Sequence, residues 1–169
     1  MPRSRSTSAS STTSSLRSGL LALGLALTAR AAPAQALSAT ELDFGALATW
    51  ARSDFYGISL GAATRPGGQG RAAFTAAGGS LDGLTALRLE LTGQFLVLPD
   101  SKRGVTPYAG FGLGYLTTRS SHGTSVLVAL LGIEAAAGRR RGWFAELGLG
   151  GGIRLRAGYR WRRLPPWWS

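Results

Sequence analysis

The chain has 169 residues, no cysteine, 25 glycines and only 16% charged residues, yet its net charge is +11. The length bounds it at one domain, and the lack of cysteine excludes a disulfide framework, a thiolate metal site and a lipid-bearing cysteine. A basic balance first suggests nucleic acid, but the arginines alternate with apolar residues or sit in turns, with no basic helix or nucleic-acid module, so no nucleic-acid partner is expected.

Residues 1–36 read as a secretory signal peptide. Arg3, Arg5 and Arg17 make a positive start, GLLALGLALTA at 19–29 is an apolar run, and Ala34-Gln35-Ala36 offers a small-residue cleavage site. The apolar run is too short for a transmembrane helix, which needs ~20 residues. Cleavage is expected after Ala36. It would leave fifteen basic against eight acidic residues, a net +7.

Beyond residue 37 the recurring pattern is alternation, the signature of strands, in which successive side chains point to opposite faces. Residues 41–51 place Leu42, Phe44, Ala46, Ala48 and Trp50 opposite Asp43, Gly45 and Thr49, with Leu47 as an exception. Residues 55–64 set Tyr56, Ile58, Leu60 and Ala62 against Gly57, Ser59 and Gly61. After the turn RPGGQG, residues 71–77 set Ala72, Phe74 and Ala76 against Arg71, Ala73 and Thr75. Residues 84–98 oppose Leu87, Leu89, Leu91, Phe95 and Val97 to Arg88, Glu90, Thr92 and Gln94.

A polar turn, PDSKRG, leads to VTPYAGFGLGYL, where Val105, Ala109, Phe111, Leu113 and Tyr115 oppose Gly110, Gly112 and Gly114. TTRSSHGTS reads as a loop. Residues 126–137 set Leu127, Ala129, Leu131, Ile133 and Ala135 against Gly132 and Glu134. GRRRG is a turn, and WFAELGL then opposes Trp143, Ala145, Leu147 and Leu149 to Glu146 and Gly148. In the last strand, IRLRAGYRWRR, the apolar positions alternate with Arg154, Arg156, Gly158, Arg160 and Arg162. A three-residue turn at Gly150-Gly151-Gly152 keeps the parity of the two flanking strands; one long strand without it would leave seven strands. The expected fold is all-β, an antiparallel up-and-down barrel of about eight strands with mostly short connections.

Three features make the apolar face lipid-facing. The polar face is filled with Gly, Ser and Thr rather than with Lys, Glu and Gln, which suits a tight lumen. That face carries both signs of charge, so Arg88, Glu90, Glu134, Glu146, Arg154, Arg156 and Arg160 are expected to form a lumen charge network. Trp50, Tyr56, Tyr108, Tyr115, Trp143, Tyr159 and Trp161 lie near strand ends, as the aromatic girdles of membrane barrels do. Export and lipid-facing strands together imply the outer membrane of a Gram-negative cell, with the lipid bilayer as partner and a monomeric barrel. The domain division is 1–36 signal peptide, 37–163 barrel and 164–169 a short C-terminal tail.

Pro107-Tyr108-Ala109-Gly110-Phe111-Gly112-Leu113-Gly114-Tyr115 resembles the PYxGxGxGY strand of small bacterial outer-membrane barrels of the OmpA/OmpX-like type. Trp143-Phe144-Ala145-Glu146-Leu147-Gly148 and Ala157-Gly158-Tyr159-Arg160-Trp161 resemble the last two strands of such proteins. The resemblance spans roughly residues 41–161 and implies a transmembrane barrel delivered by the barrel-assembly machinery. Such chains usually end on an aromatic residue that this machinery reads. Here the last strand is expected to end near Trp161, with Pro165 and Pro166 stopping it, and RRLPPWWS follows.

The chemistry-bearing candidates are few. His122, beside Ser120, Ser121 and Ser125 with Glu134 downstream, superficially suggests the Ser/His/Glu set of lipid-A deacylase barrels, but the spacing departs from their H-x-S pattern. The glycines at 110, 112 and 114 form no dinucleotide fingerprint, since no helix follows. No catalytic residue, cofactor or metal site is expected. The function expected is a structural or interaction role in the outer membrane. A narrow, porin-like channel for small or apolar solutes is the alternative, followed by a lipid-modifying enzyme or a soluble secreted barrel holding an apolar ligand.

Overall fold

The computed structural model describes residues 37–119 and 121–168, with the backbone alone at Ser121 and His122. The signal peptide expected at residues 1–36 and the cleavage expected after Ala36 lie outside the described residues. Eight strands follow one another: β1 Ala39–Trp50, β2 Phe55–Gly67, β3 Gly70–Leu81, β4 Leu84–Leu96, β5 Val105–Thr118, β6 Ser121–Ala135, β7 Arg141–Leu149 and β8 Ile153–Arg163. Each pairs antiparallel with the next, and β8 pairs with β1, closing the barrel.

The register fixes the size of the barrel. Cross-strand partners run Thr40, Thr64, Ala72, Gly93, Phe111, Ala129, Leu149, Ile153 and back to Trp50. One circuit therefore returns to β1 ten residues from its start. Eight strands with that stagger, at about 3.3 Å per residue and 4.8 Å between strands, tilt by about 41° and close at a backbone radius of about 8 Å. Such a bore is filled by long side chains.

The connections are short where turn chemistry allows. Asp82-Gly83 closes β3 to β4 with both residues at positive φ, 48° and 85°, as an Asp-Gly hairpin requires. Gly150–Gly152 turns β7 into β8 with Leu149 opposite Ile153 and Gly151 at φ 77°, so the seven-strand alternative is excluded. The start of β1 and the end of β8 share one end of the barrel, the terminus end, with connections 68–69, 97–104 and 136–140; the opposite end carries 51–54, 82–83, 119–120 and 150–152.

Several boundaries differ from the sequence reading. TTRSSHGTS is no loop: β5 runs to Thr118 and β6 starts at Ser121, with Thr118 opposite Ser121. Backbone pairing continues past the apolar part of the hairpin, whatever the polarity of the side chains. β3 spans twelve residues, longer than its weak Ala/Gly/Thr contrast suggested. β8 continues past Trp161 to Arg163 and stops before the two prolines. Leu47, the exception in β1, points into the bore and is buried.

Candidate functional site

The charges enter the bore because the strand period places them there. In β8, Arg154, Arg156, Arg160 and Arg162 are all buried, while Ile153, Leu155, Tyr159 and Trp161 between them are exposed. Among the described residues, the outward face carries charge only at Arg141 and Arg163, both at the terminus end. Inside, seven arginines (65, 71, 88, 154, 156, 160, 162) face five carboxylates (Glu41, Asp43, Glu90, Glu134, Glu146).

The network has two parts. At the terminus end, Glu134 Oε2 accepts from Arg71 Nη1 at 2.9 Å, Arg160 Nη1 at 2.5 Å and Arg162 Nη2 at 2.9 Å. Glu41 meets Arg65 Nε at 2.9 Å and Arg71 Nη1 at 3.1 Å. Arg65 also donates to the carbonyls of Pro99 and Ala137, both at 3.0 Å, and so ties two connections across that mouth. Farther in, Arg156 pairs with Asp43 and donates from Nε to Ser59 Oγ at 3.0 Å.

Arg154 bridges the rest. Its Nη1 lies 2.9 Å from Glu146 Oε2 and its Nη2 2.7 Å from Glu90 Oε2. Arg88 completes the chain, with Nε 2.7 Å from Glu90 Oε1, Nη1 donating to Thr49 Oγ1 at 3.2 Å and Nη2 to the Gly150 carbonyl at 2.7 Å. A buried ion that keeps its partners offsets its desolvation, and one that loses a partner does not. The repeated sharing of carboxylates is the arrangement that lets so many charges stay in a narrow bore.

Aromatic rings and glycines make room for this. The Arg71 guanidinium lies 4.6 Å from the centre of the Tyr108 ring, and those of Arg156 and Arg160 lie 4.9 and 4.6 Å from that of Phe144, within cation–π range. A Cβ on Gly132 would collide with the Tyr108 ring, and one on Gly61 with the Asp43 carboxylate. Beside Arg88, toward the end opposite the termini, the bore also holds an apolar cluster of Leu47, Phe55, Ala77 and Ala86, flanked by Leu81 and Leu116.

The seven lumen residues expected from sequence, Arg88, Glu90, Glu134, Glu146, Arg154, Arg156 and Arg160, are all buried and joined in these contacts. Glu41, Asp43, Arg65, Arg71 and Arg162 belong with them and were missed as a set. Asp43, Arg71 and Arg162 carried the right parity signal. Arg65 was hidden in a turn-like sequence, and Glu41 stood at the first residue of the assigned strand.

Six of the expected girdle residues face outward: Trp50, Tyr56 and Tyr115 near the end opposite the termini, Trp143, Tyr159 and Trp161 near the terminus end. Tyr108 does not. It is 2% exposed and its hydroxyl donates to Glu146 Oε1 at 2.8 Å. Its parity with Gly110, Gly112 and Gly114 is the signal that places it in the bore. His122 and Glu134 both lie on β6, twelve residues apart, or ~40 Å at about 3.3 Å per residue, so they form no catalytic pair.

No protein-family model and no curated protein matches the chain. Solved structures do. The N-terminal β-barrel domain of Pseudomonas aeruginosa OprF is 18% identical, with a TM-score of 0.54 over 75% of this chain and 97% of that one. The outer membrane protein OprG of Pseudomonas aeruginosa is 10% identical, with a TM-score of 0.57 over 76% and 97%. Neisserial surface protein A is 14% identical, with a TM-score of 0.55 over 73% and 96%. The chain shares the closed antiparallel barrel fold of these proteins.

Proposed function

We propose that the chain is an outer-membrane β-barrel protein with a plugged polar lumen and a structural or interaction role in that membrane. The observation that carries this reading is the distribution of charge over the wall. Between the strand ends the outward face is apolar and uncharged, with Leu42, Leu91, Leu113, Leu127 and Leu131 at least 60% exposed, while the inward face holds the ion-pair network. That is the membrane-barrel pattern. A closed sheet also leaves no unpaired backbone for lipid to cover.

The plug supports a structural role over a channel. The stagger leaves little free interior, and arginine side chains, Tyr108 and Phe144 occupy it. The end opposite the termini has connections of only two to four residues, which offers little loop surface for an adhesin or an enzyme. Residues 1–36 act as the export signal in this reading, cleaved after Ala36. The barrel-assembly machinery inserts a monomer.

Membrane fractionation with a heat-modifiability gel tests the barrel, and planar-bilayer recording tests the plug. A shift in mobility on boiling and no steady open conductance are expected. Large stable single-channel currents would overturn the plugged lumen in favour of a channel for small solutes.

A further inference from the structure

The fifteen cations and eight anions beyond residue 37 divide unevenly. The bore takes seven and five, and the rim opposite the termini balances Arg52 and Arg119 against Asp54 and Asp82. The terminus-end rim holds Lys102, Arg103, Arg139, Arg140, Arg141 and Arg163 against Asp100 alone, all exposed. The net positive charge beyond residue 37 therefore sits mostly on one rim, at the level where Trp143, Tyr159 and Trp161 face outward. Arg141 and Arg163 are the two charged residues on the outer wall, and both flank Trp161: Arg141 is its cross-strand partner and Arg163 lies two residues on.

Beside Arg163 a cavity of about 420 Å³ opens on the outside of this rim, lined by Arg163, Ser38, Thr40, Thr64, Pro165 and Pro166. Its lining brings the exposed Arg163, with the buried Arg65 behind it, together with three hydroxyl residues at the edge of an apolar wall. The tail that forms its far side is anchored, because the Trp168 indole N–H donates to the Gly138 carbonyl at 2.8 Å and Lys102 Nζ lies 4.6 Å from the Trp168 ring centre. Trp167 is left 52% exposed on the same tail.

We propose that this cavity and the adjoining wall at Arg141 bind the phosphodiester headgroup of an anionic phospholipid in the leaflet that surrounds the terminus end. The inference rests on the membrane reading above. Guanidinium and hydroxyl groups supply donors for a phosphate, the basic rim supplies the field that concentrates anionic lipid, and the acyl chains lie along the uncharged wall below.

The test uses the chain folded into phosphatidylcholine vesicles in which one tenth of the lipid has brominated acyl chains. Four of the five tryptophans, Trp143, Trp161, Trp167 and Trp168, lie at the terminus end. At low ionic strength, brominated phosphatidylglycerol is expected to quench them more than brominated phosphatidylcholine at the same mole fraction. Arg163→Gln and Arg141→Gln each lower the relative affinity about fivefold until parity is reached. An Arg52→Gln/Arg119→Gln variant at the opposite rim keeps the preference. Equal quenching by the two lipids in the unaltered chain, or a preference that survives Arg163→Gln/Arg141→Gln, would overturn the site. Loss of the preference in 10 mM inorganic phosphate at constant ionic strength would overturn it in favour of a free-phosphate site. No quenching by either lipid would instead overturn the membrane reading itself.

Discussion

The two ends of the bore are lined by different chemistry. At the terminus end, Glu134 alone receives three guanidinium groups, and Glu41 shares one of them, Arg71, and adds Arg65. At the opposite end Leu47, Phe55, Ala77 and Ala86 form an apolar cluster, and the buried polar groups beside it are the Arg88 guanidinium and the Thr49 hydroxyl that accepts from it. Apolar packing is non-directional, so a residue of similar volume substitutes for another at small cost. An ion network is directional and shared, so the removal of one carboxylate weakens the pairing of several buried cations at once. The charged end should therefore tolerate substitution poorly and the apolar end well.

The most severe test of that contrast is Glu134→Ala, expected to destabilise the barrel by about 3–5 kcal/mol in urea titrations in vesicles. A loss below about 1 kcal/mol would mean that water already serves the three arginines. Glu146→Ala, which leaves Arg154 with Glu90 alone and takes the acceptor from the Tyr108 hydroxyl, belongs to the same class. On the other side of the same wall, Leu131→Arg probes lipid instead of lumen and should cost about 2–4 kcal/mol at mid-bilayer. If it folds as well as the parent in bilayers, the outward face meets water.

Leu47→Met sharpens the comparison from the apolar end. A swap of similar volume should cost less than about 1.5 kcal/mol, well below any loss of a lumen carboxylate, and equal effects at the two ends would erase the distinction. The smallest effect concerns the rim opposite the termini. Hydrogen bonds from the Ser53 side chain and the Asp54 backbone N–H hold the Asp82 carboxyl below the usual carboxylate range. A lowered folded-state value contributes stability above the ordinary pKa of about 4, and that contribution is lost as pH falls through the lowered value. Asp82→Asn should remove this small acid dependence from the unfolding midpoint.

Much of the arrangement was legible along the chain because parity in a strand is a local property. Arg154, Arg156 and Arg160 alternate with apolar neighbours, and nothing distant is needed to assign them a common face. The failures were failures of local contrast. Tyr108 has the chemistry of a girdle residue, but its even position among Gly110, Gly112 and Gly114 puts it in the bore. Arg65 lies in a Gly- and Pro-rich stretch that reads as a turn, while β2 in fact runs on to Gly67. The polar residues from Thr117 to Ser125 resemble a loop, but hairpin pairing is made by the backbone and persists there.

Sequence by itself determined that the protein is built of two-faced strands, which residues share a face, and that one face is apolar while the other is charged. A period of two residues enforces this in any strand. Which carboxylate meets which guanidinium was decided only by closure. Arg71 and Glu134 are 63 residues apart in the chain. They meet because eight strands joined with a ten-residue stagger set the height of every side chain in the bore, and that stagger belongs to the closed barrel, not to any one strand.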